Sequence, residues 1–405
     1  MTGARPLIVH VIHHLVTGGM ENGLVGLINN LPSSSYRHAI VCIEDHSDFR
    51  HRITRPDTEV LEMKRSQIGT WRMRYRLFRT FRRLKPAIVH SRNKSGLDAL
   101  LPARLAGVPH CVHGEHGWDV HDLDGRSRKE QVLRRLHAPL VERYVTVSRS
   151  LRDYLVERVG IRPERITTVC NGVDTGKFRP VHVKPAGVLP PQLAGDGLVV
   201  IGAVGRLQPV KNQQALLAAF ADVVHGADDA TASARLLVVG NGPLRDALEK
   251  QAQALGIAHL TWFAGDRTDV ARLLQCMDVF VLPSLAEGIS NTVLEAMATG
   301  LPVLATRVGG NVELVQDGES GALFDPADGA ALKRLIAGYL ADPALRRRHG
   351  ERARRLAVEN FSLEAMVEGY RGVYDRLMLG RRGRSLSDNA VQNPAIGLDR
   401  GPGSD

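Results

Sequence analysis

PSLAEGISNTVLEAMATGLPVLAT, residues 283–306, decides how the rest of the chain is read. The apolar run 279–282 leads into it as a buried strand, and the stretch then offers a loop, a short helix and another strand. Ser290 or Asn291 caps the helix start, Gly300 stops it, and Pro302 cannot continue it. A helix start leaves backbone N–H groups unpaired, so the turn at 288–291 favours a phosphate in front of it. Glu287 and Glu295 flank that turn with seven residues between them, and carboxylates so placed can accept hydrogen bonds from sugar hydroxyls. Strand–loop–helix–strand units occur in any α/β protein, however, and an isolated glutamate pair is usually two solvated side chains. The surroundings have to decide.

Outward from this segment, short apolar runs alternate with helical stretches in two sets. The first set is 7–12, 38–43, 87–90, 110–113, 143–147 and 166–170; the second is 198–204, 235–239, 260–264, 279–282, 302–305 and 321–324. Continuous apolar strands separated by helices mean parallel sheets covered on both faces. Between the sets, residues 181–197 are rich in Pro and Gly and lack periodicity, as a domain linker does. The expected architecture is α/β: two doubly wound, Rossmann-like domains (1–180 and 198–360) facing across a cleft. Residues 361–380 carry Met366, Tyr370, Val373 and Leu377 on one side of a terminal helix, and 381–405 have no apolar face and are expected to be disordered.

Bulk properties narrow the class. A chain of 405 residues with a 43% hydrophobic fraction suits two globular domains. No apolar run approaches bilayer-spanning length, and the 7–12 run is too short for a signal-peptide core, so a cytoplasmic protein is expected. Cys42, Cys111, Cys170 and Cys276 form no CxxC and suggest neither disulfides nor zinc. The net charge of +10 is concentrated in 64–85, which holds nine Lys or Arg and no acid. On a helix, Arg72, Arg76, Arg79 and Arg83 share one stripe and Met73, Leu77, Phe81 and Leu84 another. Such a helix suits peripheral contact with an anionic membrane at its inner face, and equally suits packing on the sheet with a solvated Arg face. Nucleic acid is the weaker fit.

Further chemistry follows the strands. Arg206 lies just past the run 198–204 and Lys211 five positions on; two cations there can clamp a diphosphate and neutralise a departing nucleotide. No G-x-G-x-x-G follows that strand, which argues against a dinucleotide fingerprint. Gly240-Asn241-Gly242-Pro243 follows the next strand and reads either as a ligand turn or as a turn needed for backbone geometry alone. In the first domain, Thr17-Gly18-Gly19-Met20-Glu21 joins strand to helix, where two glycines allow close backbone approach to an anion. His113-Gly114-Glu115-His116-Gly117-Trp118-Asp119 follows another strand but lacks the spacing of a metal site. No Asp-x-Asp stands at a strand end; Asp122-Leu123-Asp124 lies in a polar loop.

These motifs together resemble the retaining family-4 glycosyltransferases of GT-B fold. The E-x7-E segment matches through Gly300, Pro302 and Gly309-Gly310, Gly205-Arg206-Leu207 to Lys211 resembles the G-R-L-x-x-x-K element, and the likeness covers roughly 5–380. It is greatest to bacterial transferases of exopolysaccharide synthesis. The resemblance implies a retaining, metal-independent hexosyl transfer from a nucleotide diphosphate sugar, with no further cofactor, to a glycan or lipid-linked acceptor. It implies that Arg206 and Lys211 stabilise the diphosphate, and that Glu295, in the first turn of its helix, binds the ribose. Glu287 and the N–H groups of Gly288, Ile289, Ser290 and Asn291 would then meet the sugar and phosphate. Gly18, Gly19 and Gly242 would approach the donor, and the loop at Arg267 would cup the base. A histidine on the 113–119 loop would face the sugar from the opposite domain: His116 by position, with His113 and Asp119 as alternatives. With no evident nucleophilic carboxylate on the first domain, front-face displacement is implied, and the terminal helix is expected to brace that domain. Two other classes stay open, a nucleotide-sugar epimerase on the same fold and a non-catalytic sugar-nucleotide sensor. Base, sugar and acceptor are not legible in these residues.

Overall fold

The computed structural model describes residues 5–118, 122, 125–226 and 232–380. Two separate parallel sheets form it. The first sheet comprises β1 (Leu7–Ile12), β2 (Arg37–Cys42), β3 (Glu59–Glu62), β4 (Ile88–Arg92), β5 (His110–Glu115), β6 (Arg143–Thr146) and β7 (Ile166–Thr168). The second comprises β8 (Val199–Val204), β9 (Ala234–Val239), β10 (Thr261–Gly265), β11 (Val279–Leu282), β12 (Val303–Thr306) and β13 (Gly321–Phe324). Strand orders are β3-β2-β1-β4-β5-β6-β7 and β10-β9-β8-β11-β12-β13, so in each sheet the winding reverses beside the first strand. Those reversals open crevices at the carboxyl ends of β1 and β4 and of β8 and β11. These are the two doubly wound domains expected from the alternation of strands and helices, in the GT-B arrangement that the family resemblance implies.

The apolar runs became strands because both sheet faces are covered. Every residue of β1, β4 and β8 is buried, and no polar alternation could survive there. β3 escaped the sequence reading for the opposite reason. It is an edge strand, Glu-Val-Leu-Glu, with no fully buried residue, so it lacks an apolar run. The stretch 181–197 holds one 3-10 turn, Pro191–Leu193, and no strand.

After the helix Pro343–Asn360 the chain returns to the first domain through Leu363–Leu379, capped by Ser362 accepting from the Ala365 N–H at 3.2 Å. Met366, Tyr370, Val373, Tyr374 and Leu377 share one buried cluster with Ile8, Leu27, Ile88 and Val112. Tyr374 OH also meets His90 Nδ1 at 2.8 Å, and Tyr36 OH donates to Asp375 at 2.5 Å. The expectation of a disordered tail at 381–405 concerns residues outside those described. Cys42, Cys111 and Cys276 are buried and Cys170 half-buried; burial raises each thiol, as inert packing residues require. Among the described residues no helix is long and apolar enough to cross a membrane.

Candidate active site

The second domain builds its side of the cleft from three loops that hold one another in place. Past β8, Leu207 N–H donates to Asn241 O at 2.9 Å and Leu244 N–H to Leu207 O at 3.1 Å. A Cβ on Gly240 (φ +125°) would lie 2.1 Å from Gly205 O, and one on Gly242 would lie 2.4 Å from Leu207 O. The Gly-Asn-Gly turn is thus required to seat the Gly205–Leu207 loop, so the backbone reading of Gly242 has a concrete cause. Arg206, carried by that loop, is exposed and, among the described residues, pairs with no acid of its own domain. Lys211 ends the 3-10 turn Pro209–Lys211, ahead of the helix Gln213–Val224 rather than inside it.

Past β11, Leu285 N–H donates to Val210 O at 2.8 Å and ties the two loops together. Lys211 Nζ and Glu287 Oε1 stand 2.5 Å apart, the lysine 23% and the glutamate 9% exposed. Gly309 and Gly310 back this loop: a Cβ on either would strike Glu287 O or Gly288 O, at 1.8 and 2.1 Å. Ser290 Oγ accepts from the Val293 N–H, the helix runs Asn291–Thr299, and Gly300 ends it in the left-handed region. Glu295 is therefore five residues in, in the second turn; the first-turn placement is corrected, because the cap is Ser290 and not a later residue. Burial pushes the Glu295 carboxyl up to about 7, against the pull of Lys177 and Arg52. It faces the first domain.

The first domain meets these loops directly. Asn291 Nδ2 donates to Gly19 O at 2.9 Å, and Asn171 Nδ2 to Asn291 Oδ1 at 2.7 Å. A Cβ on Gly288 would lie 2.8 Å from Gly117 Cα and 2.9 Å from His116 O, so backbone touches backbone across the cleft. Gly18 is extended at φ −165° and caps the helix Gly19–Asn30, with the Glu21 carboxylate folded over it. Burial raises the Glu21 carboxyl, while its own backbone N–H, Arg206 across the cleft and His14 pull it back.

His116 is held by its backbone, whose N–H donates to Asn93 Oδ1 at 2.8 Å. Its ring folds inward over Gly114, leaving Nε2 buried and without a partner. Burial and then the charge of the fully buried Arg92 hold the imidazole down at about 3, so it is neutral at physiological pH. His113 belongs to the core: Nδ1 meets Ser91 Oγ at 2.8 Å and Nε2 lies 3.4 Å from Glu115. Glu115 itself is buried on Arg134 at 2.6 Å. Asp119 and Asp124 lie outside the described residues, and Asp122 accepts from the Ser127 N–H at 2.9 Å. Arg267 is spent on Asp269, with two bonds of 2.8 and 2.7 Å, and lies over the Trp262 ring. Arg206, Lys211, Glu287 and the 288–291 turn thus converge with Gly18, Gly19 and the His116 loop, whereas Gly242 buttresses and Arg267 is engaged elsewhere.

Sequence reasoning passed over four polar residues of this junction. Glu21 sat in a quoted motif without a role. Asn93 is one of few non-glycine residues with positive φ, at +52°, a conformation asparagine tolerates but no motif announces. Asn171 bonds across to Asn291 in the other domain. Glu313 spans the domains too: its carboxylate accepts the Arg149 N–H at 2.8 and 2.9 Å and the Ser150 N–H at 3.3 Å, at the start of the helix Arg149–Asp153. Charge-assisted bonds of this kind contribute roughly 1.5–3 kcal/mol. Glu313→Ala is expected to raise donor KM about tenfold while kcat changes little and the melting temperature falls by roughly 3–12 °C. Unchanged KM in steady-state kinetics would remove the latch role.

Comparisons with known proteins agree with this geometry. A family described as Glycosyltransferase Family 4 matches residues 17–177, and one described as Glycosyl transferases group 1 matches 191–356. The UDP-Gal:alpha-D-GlcNAc-diphosphoundecaprenol alpha-1,3-galactosyltransferase of Escherichia coli is 28% identical over 311 residues, 75% of this chain and 79% of that protein. The lipopolysaccharide core mannosyltransferase LpcC of Rhizobium leguminosarum bv. viciae is 33% identical over 214 residues, 52% of this chain and 60% of its own. Anabaena HepE, solved with UDP-glucose, superposes with a TM-score of 0.77 at 20% identity, covering 92% of this chain and all of that one. The two family matches cover every strand except β1 and every cleft loop described above: the chain belongs to the family-4 glycosyltransferases, with the GT-B fold.

Proposed function

We propose that this glycosyltransferase moves a hexosyl group from a nucleotide diphosphate sugar, with retention and without a metal ion, to a lipid-linked or glycan acceptor of cell-surface polysaccharide synthesis. The observation that carries the reading is the convergence of Arg206, the Lys211–Glu287 pair and the start of the helix Asn291–Thr299 at the β8/β11 reversal. The names of the two relatives, a galactosyltransferase on a diphosphoundecaprenol-linked sugar and a lipopolysaccharide mannosyltransferase, support the acceptor class. The UDP and UDP-glucose complexes of HepE support the donor class.

In this mechanism the donor separates the 2.5 Å Lys211–Glu287 pair. Lys211 turns to the diphosphate beside Arg206, and Glu287 is freed for sugar hydroxyls. Charge on the leaving diphosphate grows as the glycosidic bond breaks, so two fixed cations act most strongly at the transition state. They also take the place of a metal ion. Glu295 receives the ribose hydroxyls, and the neutral His116 adds no charge where its loop meets the sugar. Glu115 is locked under Arg134 and is no nucleophile, so the acceptor attacks from the face the diphosphate leaves, the phosphate taking its proton. The enzyme would work at the inner face of the cytoplasmic membrane, where such acceptors are reached.

The test pairs UDP-, GDP- and ADP-sugars with and without a polyprenyl-diphosphate-linked sugar. Nucleoside diphosphate should appear only with acceptor, the product should keep the donor's anomeric configuration by NMR, and EDTA should not slow it. Epimerised donor without acceptor would instead make the protein an isomerase. Loss on chelation, restored by Mg²⁺, would overturn the metal-free mechanism.

A further inference from the structure

We infer that Arg92 is a positioning residue of the transfer: through Tyr374 and His90 it gives His116 one tautomer, with the proton on Nδ1, so that His116 meets the sugar as a hydrogen-bond donor. This rests on the reading that the 113–119 loop faces the sugar, and extends it.

Arg92 ends β4 and is 1% exposed, yet among the described residues no carboxylate pairs with it. Burying a cation without a counter-ion is costly, so the groups around it carry the explanation. Strand register selects them. β1 and β4 set His10 beside His90, and β4 and β5 set Arg92 beside Gly114. The two-residue period puts all four on the sheet face that the terminal helix Leu363–Leu379 covers.

A guanidinium can only donate, which fixes the direction of each bond that leaves it. Arg92 Nη1 stands 3.1 Å from His10 Nδ1, so that nitrogen accepts and the His10 proton is on Nε2. His10 Nε2 then donates to His38 Nδ1 at 3.0 Å. Arg92 also hydrogen-bonds the Tyr374 phenol, whose oxygen must accept. The phenol proton is left for His90 Nδ1 at 2.8 Å, which puts the His90 proton on Nε2.

His90 Nε2 and His116 Nε2 are both buried, both without a partner, and aimed at one spot. A Cβ on Gly114 would lie 3.1 Å from the first and 2.7 Å from the second. Protons on both would set two N–H dipoles against one another. His90 already carries one, so His116 Nε2 is the bare nitrogen and its proton is on Nδ1. Burial first, and then charges among which Arg92 recurs, hold His10, His38, His90 and His116 all below the ordinary imidazole value. Every ring is therefore neutral, and what the network sets is the tautomer rather than the charge. With Nε2 turned inward, Nδ1 is the nitrogen left to meet a ligand. A neutral N–H there can donate to a sugar oxygen without opposing the positive charge that the sugar ring gains as the glycosidic bond breaks.

The test is long-range proton–nitrogen correlation NMR of the ligand-free protein carrying isotope-labelled histidine, the His116 signals being those that vanish in His116→Asn. Wild type should show a protonated Nδ1 and a bare Nε2. Tyr374→Phe breaks the network beneath the terminal helix, far from any ligand, and should turn His116 into a mixture of both tautomers. Arg92→Met should do the same; Tyr374→Phe, which keeps the buried ring, decides the matter if Arg92→Met does not fold. A merely structural role would lower the melting temperature and leave the tautomer alone. In kinetics, Asn reproduces the Nδ1 position of histidine and Gln the Nε2 position. His116→Asn should thus transfer about fivefold faster than His116→Gln, the worth of one neutral hydrogen bond. A bare Nδ1 in wild type, His116 signals unmoved in both network variants, or equal transfer by His116→Asn and His116→Gln would each overturn the proposal. The ring signals are read without donor, so a protein that shows them and transfers no sugar would count against the transferase reading and not against the network.

Discussion

Arg206→Ala and Lys211→Ala should each lower kcat/KM at least about 100-fold. That is the loss expected when one preorganised donor aimed at developing charge is removed, about 2.7–4 kcal/mol at the transition state. The two variants should differ in stability. Arg206 is exposed and, among the described residues, bonds to no acid of its own domain, so its loss leaves the melting temperature where it was. Lys211 neutralises the largely buried Glu287 at 2.5 Å, and removing it strands that carboxylate, costing roughly 1–3 kcal/mol. Arg206→Lys should recover part of the activity, since it keeps the charge but loses the bidentate fork. The double variant should fall short of the product of the singles, because both act on one leaving group. Steady-state kinetics beside thermal melting checks all of this. Near-normal turnover in both single variants would end the diphosphate assignment.

How much of this site was legible depends on whether a residue's role is local. The strand runs and the Ser290–Gly300 helix follow from burial and capping, which neighbours in sequence set, and they fell within a few residues of the observed bounds. The same logic missed β3, whose two glutamates hide an edge strand. Arg206, Lys211 and Glu287 were readable because they follow strands at fixed offsets. That Lys211 and Glu287 grip one another was not, since the contact spans 76 positions and neither motif implies the other. Glu313 and Asn171 were invisible for a like reason: their partners lie in the opposite domain. In the His113–His116 segment the residue types were plain, but only the strand's pleat sorts them. His113 and Glu115 point into one face of the sheet, and His116 lies past its end.

The second large effect is expected at Glu115, in stability rather than in turnover. Glu115 and Arg134 are both buried, with Nε–Oε1 at 2.6 Å, and Tyr154 lies against the guanidinium. Burial, the largest single effect, would raise the Glu115 carboxyl, but Arg134's charge, His113 and the hydrogen bonds from both together outweigh it and hold the carboxyl down to about 2. Its folded pKa lies below the ordinary value of 4.5, so the contribution is full above that value and is lost as pH falls from about 4.5 towards 2. Glu115→Ala leaves the buried Arg134 with only its longer 3.5 Å contact to Glu130, which costs up to about 3–5 kcal/mol. For a domain of this size that lowers the melting temperature by roughly 6–20 °C. Glu115→Leu combined with Arg134→Met should recover most of the loss, because replacing both members of a buried pair is far cheaper than breaking it. The acid limb of stability should flatten with it, since no depressed carboxyl remains there to titrate. Melting curves of the three proteins from pH 7 down to pH 3 decide the matter. A single variant as stable as wild type would mean that Glu130 suffices as the anion for Arg134. A double variant no better than the single would mean that the pair specifies the fold rather than merely compensating its own burial.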